Sequence, residues 1–131
     1  MMIVIGNGVD IINNKRIENS IKNKKFLNRI YSYNEIKNSY KVQNKVNYFA
    51  KRFAAKEAFV KSIGLGFRNN INFKDISITN NKLGKPQIHI NDKINKIIKK
   101  KLKIKKFNVY LSLSDEKNHS IAFVIISEKK Q

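Results

Sequence analysis

A chain of 131 residues has room for one domain with an ordinary apolar core and needs no staples. With no cysteine, disulfides and thiolate metal sites are excluded, and with only His89 and His119, far apart, a metal would be left to oxygen ligands and so be a hard cation such as Mg²⁺. The formal charge of +19, from 28 basic and 9 acidic residues, points to an acidic partner or a polyphosphate ligand.

Residues 3–12 read as a strand, broken at Gly6 and Gly8, with Asp10 set between Val9 and Ile11. A carboxylate among β-branched residues is costly to desolvate unless a cation meets it. Asp10 is therefore either the solvent-facing acid of an edge strand or a metal ligand beside a glycine-widened approach. The opening MMIVIGNGVD lacks a basic start and a long apolar run, which reads against a signal peptide. No segment reaches the roughly 18–20 apolar residues that span a bilayer. A cytoplasmic protein without a membrane partner is expected. Asn13 or Asn14 would cap a helix over about 15–30. That helix turns Ile17, Ile21, Phe26, Leu27 and Ile30 inward and leaves Arg16, Lys22, Lys24, Lys25 and Arg29 outward, as a solvated face or as a dock for an acidic helix. Residues 32–47 read as a second helix with a loop, and Ser32 with Glu35 fits a capping box.

The stretch 49–66, FAKRFAAKEAFVKSIGLG, carries the densest information. At helical spacing Phe49, Phe53, Phe59, Val60 and Ile63 share an apolar face, while Ala50, Ala54, Glu57 and Lys61 share a second line. Glu57 and Lys61 are surface neighbours one turn apart, and the two alanines leave open space over them. Lys56 falls in the apolar sector, so it must snorkel out or meet a partner. Gly64 and Gly66 end the helix where backbone turns or comes close to something. This is either a core helix with one surface ion pair or the wall of a site.

A loop follows over 67–72. Residues 74–79 and 87–90 alternate like strands around the Gly84-Lys85-Pro86 turn, a hairpin. Residues 92–103 form a helix on Ile94, Ile97, Ile98 and Leu102, with Asp92 at its start and a solvated lysine run at its end. The runs 107–113 and 120–126, joined by DEKNH, make a second hairpin. Without repeat or linker, 1–131 is one α+β domain with an antiparallel sheet and packed helices.

Taken together, GVDIINNKRIE at 8–18, FAKRFAAKEAFVKSIGLGF at 49–67 and LGKPQI at 83–88 resemble the holo-[acyl-carrier-protein] synthases, the short bacterial branch of the 4'-phosphopantetheinyl transferases. The likeness continues to the closing LSLSDE…AFVII hairpin. It implies the 4'-phosphopantetheinyl transferase fold and a homotrimer with active sites between subunits. It also implies transfer of the 4'-phosphopantetheine arm of coenzyme A to a serine of apo acyl carrier protein, for fatty acid biosynthesis, leaving adenosine 3',5'-bisphosphate. On this resemblance Asp10 and Glu57 would hold a Mg²⁺ shared with the coenzyme's diphosphate, and Lys61 would stand beside that diphosphate. Gly64, Gly66, Gly84, Lys85 and Pro86 would line the coenzyme groove, and Arg52 and Lys56 would touch nucleotide phosphates. Arg16, Lys24 and Lys25, with Phe26 as apolar anchor, would dock the acidic carrier protein. Some relatives carry a histidine where this chain has Asp115, which is either a site residue or a turn-starting Asp.

Two other classes stay open at this stage. A small basic nucleic-acid-binding module would explain the charge and the lysine-rich segment 96–106, but no motif for it is present. Heavy use of lysine, asparagine and isoleucine is also what an AT-rich coding sequence yields. A catalytically silent carrier-binding relative is the third class, and docking alone has no use for a buried acid pair.

Overall fold

In the computed structural model the described residues are 2–67 and 70–129. The long helix α4 spans Lys45–Ser62, with a preceding series of β1 (Met2–Asn13), α1 (Asn14–Ser20), α2 (Lys24–Ile30) and α3 (Tyr33–Ser39). After it come a 3-10 turn at Phe73–Asp75, β2 (Ile76–Asn80), β3 (Pro86–Ile90), α5 (Asp92–Leu102), β4 (Phe107–Asp115) and β5 (His119–Lys129). Strands β1, β5 and β4 form an antiparallel sheet in that order, and β2 pairs with β3 in a separate hairpin. This is the expected α+β arrangement. Among the described residues no helix is long and apolar enough to cross a membrane.

Helix α4 starts a turn earlier than its apolar spacing suggests, because Asn44 caps it by accepting from the Asn47 amide. Its alanines, lysines and Glu57 are good helix formers. Its last helical residue is Ser62, and Gly64 ends it as expected: past the Ile63 cap it takes φ +71°, its amide bonds the Lys61 carbonyl, and the Leu65 amide bonds the Val60 carbonyl. The expected open space over Ala50 and Ala54 is absent, since both are fully covered. Small side chains here let the sheet lie against the helix rather than exposing it.

Strand β1 is not broken at its glycines; it runs on through them, with a register irregularity between Val4 and Gly6. A Cβ at Gly6 would stand 2.1 Å from the Ser62 carbonyl oxygen, and one at Gly8 would stand 2.1 Å from that of Ala58. Strand and helix therefore meet backbone to backbone, and only hydrogen fits between them. On the sheet's inner face Ile12, Ala122, Val124, Ile126 and Leu111 join the core under α4. The alternate residues Val9, Ile11, Ile121 and Phe123 stay 39–61% exposed on the outer face.

The helix expected over 15–30 is two helices. Asn23 accepts from the amides of Lys25 and Phe26 and starts α2 afresh, a local competition that periodicity does not register. Asn13, not Asn14, caps α1, and the Ser32–Glu35 capping box of α3 is present. The expected strand over 74–79 begins only at Ile76, because Asp75 folds back to bond the Asn72 amide and closes the 3-10 turn.

Gly8→Ala must push its methyl into a helix carbonyl that cannot swing away. We expect it to lower stability by about 2–3 kcal/mol, the upper range for overpacking, read as a lower urea midpoint; an unchanged midpoint would mean that strand and helix lie farther apart than this.

Candidate active site

Asp10 stands two residues past Gly8, where β1 runs beside the last turns of α4. Lys61 reaches back from α4, and its Nζ donates to Asp10 Oδ1 at 3.0 Å and to the Val9 carbonyl at 3.1 Å. The Asp10 side chain is only 16% exposed, against 53% for Lys61. A pair so open on one side contributes about 0–1 kcal/mol to stability. Its effect is geometric: it places an ammonium on one acid and leaves that ammonium reachable from solvent.

Glu57, half-buried, stands one turn before Lys61. Its carboxyl is pushed above the ordinary value, first by burial and then by the charge of Asp10, while Lys61 and Arg16 pull it down. Glu57 thus feels the charge of an acid from a distant part of the chain. The expected Glu57–Lys61 surface pair is not made; Lys61 bonds Asp10 instead. Arg16, from α1, lays its guanidinium over the Phe53 ring at 5.8 Å from the centroid, one turn before Glu57 on α4. Its charge also reaches Glu57, whose carboxyl it pulls down.

The donor set suits Mg²⁺. The ion prefers hard oxygen ligands and commonly takes one or two protein carboxylates, the rest of its shell being water and substrate phosphate. Among the described residues no cluster of three or more His, Asp or Glu forms. The pair Asp10–Glu57 therefore fits an ion shared with a phosphorylated substrate better than a cage built of protein alone.

A cavity of about 260 Å³ opens at the start of α4 and is lined by Asn44, Asn47, Lys51, Arg52, Asn80 and Asp115 among others. Arg52 is 5% exposed and donates through Nη1 to the Tyr48 carbonyl and through Nη2 to Asn80 Oδ1, while its Nε has no partner. Its guanidinium plane sits 3.6 Å from the Tyr48 ring centroid. The unpartnered Nε is itself shut away from solvent. Asp115 is the last residue of β4, not a free turn residue: it accepts from Asn47 Nδ2 at 2.8 Å and meets Lys51 at 3.4 Å. A separate groove, of about 550 Å³, runs between Lys85 and residues 86–89 of β3 on one side and Tyr110, Leu111 and Phe123 of the sheet on the other. Neither cavity is lined by Asp10 or Glu57.

Residues 6–124 match the family model of the 4'-phosphopantetheinyl transferase superfamily. The chain belongs to that superfamily. Over 128 residues it is 54% identical to the holo-[acyl-carrier-protein] synthase of Pelagibacter ubique, covering 98% of this chain and 100% of that one. The crystal structure of the holo-[acyl-carrier-protein] synthase of Neisseria meningitidis superposes with TM-score 0.84 at 38% identity, covering 97% of this chain and 100% of that one. The synthase of Bacillus anthracis, solved in complex with coenzyme A (3',5'-ADP), gives TM-score 0.80 at 30% identity, covering 98% of this chain and 100% of that one. This chain is accordingly an enzyme of the holo-[acyl-carrier-protein] synthase family, a phosphopantetheinyl transferase.

The transferase brings Asp10, Glu57, Lys61 and Arg16 together and leaves the other expected residues elsewhere. Lys56 cannot touch a nucleotide phosphate as expected: it has no exposure, and its Nζ is used by Glu35 Oε1 at 2.6 Å and by the carbonyls of Ile30 at 2.7 Å and Phe73 at 3.2 Å. Phe26 is not a free apolar anchor; half-buried, it stacks on Phe53 at 6.4 Å and meets Tyr31 edge-on at 6.1 Å. Lys24 and Lys25 are exposed on α2. Gly64 and Gly66 lie just past α4, and Gly84 takes φ +85° at the hairpin tip with open space around it. Arg16 beside the acids had no signal in the sequence, because α1 meets α4 only through tertiary packing.

The folded-state value of Glu57 lies above its unfolded one, so the unfolded chain gives up this proton first as pH rises. Between the two values stability falls with pH, and above both the ionised acid remains a cost to the fold. Glu57→Gln is therefore expected to melt at a higher temperature than the parent at pH 7 in metal-free buffer, with the gap closing as pH drops below the carboxylate range. A lower melting temperature at pH 7 would contradict the strained acid pair.

Proposed function

We propose that this transferase moves the 4'-phosphopantetheine arm of coenzyme A to a serine hydroxyl of an apo acyl carrier protein, with Mg²⁺, in support of fatty acid biosynthesis. The observation that carries the reading is the convergence of Asp10, Glu57 and Lys61. The serine hydroxyl loses its proton to solvent at the site as its oxygen forms a bond to the phosphorus that bears pantetheine. The bond from that phosphorus to the bridging oxygen breaks, and adenosine 3',5'-bisphosphate departs with that oxygen. Such a transfer needs little covalent help from the protein; positioning and charge balance carry most of it. When bound at Asp10 and Glu57, Mg²⁺ supplies charge neutralisation on the diphosphate oxygens. Lys61, held at Asp10 yet reachable, brings a second positive charge to the same oxygens. The nucleophile comes with the carrier, so no serine triad is required in this chain.

The other contacts follow from where the cations sit. Arg52, on the wall of the cavity at the start of α4, adds positive charge there for a nucleotide phosphate, and Lys85 with Pro86 borders the groove beside the outer sheet face. In one copy these cavities are separate from the acids, so a coenzyme that meets both sets is best served by neighbouring copies. The exposed apolar outer face of Val9, Ile11, Ile121 and Phe123 supports such packing, and a homotrimer with the active site between subunits is the assembly we propose. Gly64 and Gly66, just past Lys61, would let the coenzyme run close to backbone. Arg16, Lys24 and Lys25 form the basic surface for the acidic carrier, with the open edge of Phe26 between them.

Mass spectrometry of an apo acyl carrier protein incubated with coenzyme A, Mg²⁺ and this enzyme tests the reaction. The carrier should gain the phosphopantetheine mass, and Glu57→Gln should lose the gain while staying folded. No gain with the parent enzyme, or an equal gain with the variant, would sink the assignment. The docking surface is tested separately. Arg16→Glu should raise KM for the carrier at least ten-fold, and raising salt from 50 to 300 mM should slow the parent more than this variant; equal carrier kinetics in parent and variant would remove Arg16 from the encounter.

A further inference from the structure

Glu35 and Lys56 form a buried ion pair, with no exposure of either side chain. All three ammonium donors of Lys56 are used, on Glu35 Oε1 and on the carbonyls of Ile30 and Phe73. Glu35 in turn accepts from the Ser32 amide at 2.8 Å through Oε1 and from the Ile78 amide at 2.9 Å through Oε2. The pair therefore ties α4 to the end of α2, the start of α3, the 3-10 turn and β2. Stability alone does not explain it, because the desolvation of two buried charges offsets most of their attraction, and apolar residues of like volume often serve as well.

The other side of α4 shows what the pair adds. There the helix rests on β1 and β5, with Gly6 and Gly8 against the carbonyls of Ser62 and Ala58, a contact that sets its distance from the sheet, while on the far side Lys56 and Glu35 tie it to four other elements. Glu57 is the residue next to Lys56, about 100° further round the helix. We propose that Glu35 and Lys56 are a positioning pair: their buried contact fixes the rotation of α4 about its axis and so aims Glu57 at Asp10. The inference rests on the reading of Asp10 and Glu57 as an ion site. Lys56 touches neither substrate nor ion; it acts through Glu57.

The test uses Mn²⁺ as probe, its binding to the enzyme followed by electron paramagnetic resonance, alongside kcat and KM for the carrier. Glu35→Asp keeps both charges, and hence the fold, but is one methylene short, so Lys56 must be drawn aside to keep the bond. The double variant Glu35→Gln/Lys56→Met removes the pair without stranding a buried charge. Both should bind Mn²⁺ about ten-fold more weakly than the parent, the usual cost of disturbing the support behind a ligand, with kcat lowered and KM for the carrier unchanged. A purely structural pair would lower the melting temperature and leave Mn²⁺ affinity as it was. That result in Glu35→Asp overturns the proposal, whether or not the double variant folds. A parent enzyme that neither binds Mn²⁺ nor transfers the arm instead refutes the ion-site reading, and the positioning role falls with it.

Discussion

Two carbonyls of α4, those of Ala58 and Ser62, lie where the side chains of Gly8 and Gly6 would be. This backbone-to-backbone contact brings the middle of β1 under the last turns of the helix. From it follow the reach of Lys61 to Asp10, the field that Asp10 exerts on Glu57 and the burial of Ala50, Ala54 and Ala58 against the sheet. Any residue with a Cβ at Gly8 would lift the strand and loosen all three together. A small-residue seam is thus the condition for the acid pair, although no glycine or alanine takes part in the chemistry.

Acids are scarce in this chain, nine against 28 basic residues, and where they sit is telling. Asp75 closes a turn and pairs with Lys93, Asp92 sits in the first turn of α5, and Asp115 is held by Asn47 and Lys51. Glu35 is consumed in the core. Asp10 is met by Lys61, while Glu57 beside it has no ion pair of its own among the described residues and its carboxyl is pushed upward. In a protein so rich in positive charge, Asp10 and Glu57 put negative charge at one place, the pattern that the proposed ion site calls for.

The family likeness and the physical reading support each other at different scales. Matching chains carry the family and the fold from end to end. The local geometry separates residues that the motif lumps together. KEAFVK contributes Glu57 and Lys61 to the acid cluster, yet its first lysine points the other way into the core. A motif reports which residues recur near each other in the chain, whereas a helix turns neighbours about 100° apart and can send them to opposite sides.

What the sequence alone determined is whatever depends on near neighbours and on composition. The capping box at Ser32 and Glu35, both hairpins, the amphipathic α5, the exclusion of thiolate sites and the α+β class are all of this kind. Periodicity was less informative where a side chain competes with the backbone, as at Asn23, or where a cap extends a helix beyond its apolar stripe, as at Asn44. Lys56 was recognisable as a lysine in need of a partner, but the partner lies 21 residues away, and the one Lys61 finds lies 51 away. Only the tertiary structure decided those meetings, because the bond that satisfies a buried charge depends on which elements the core draws together, and local spacing carries no record of that.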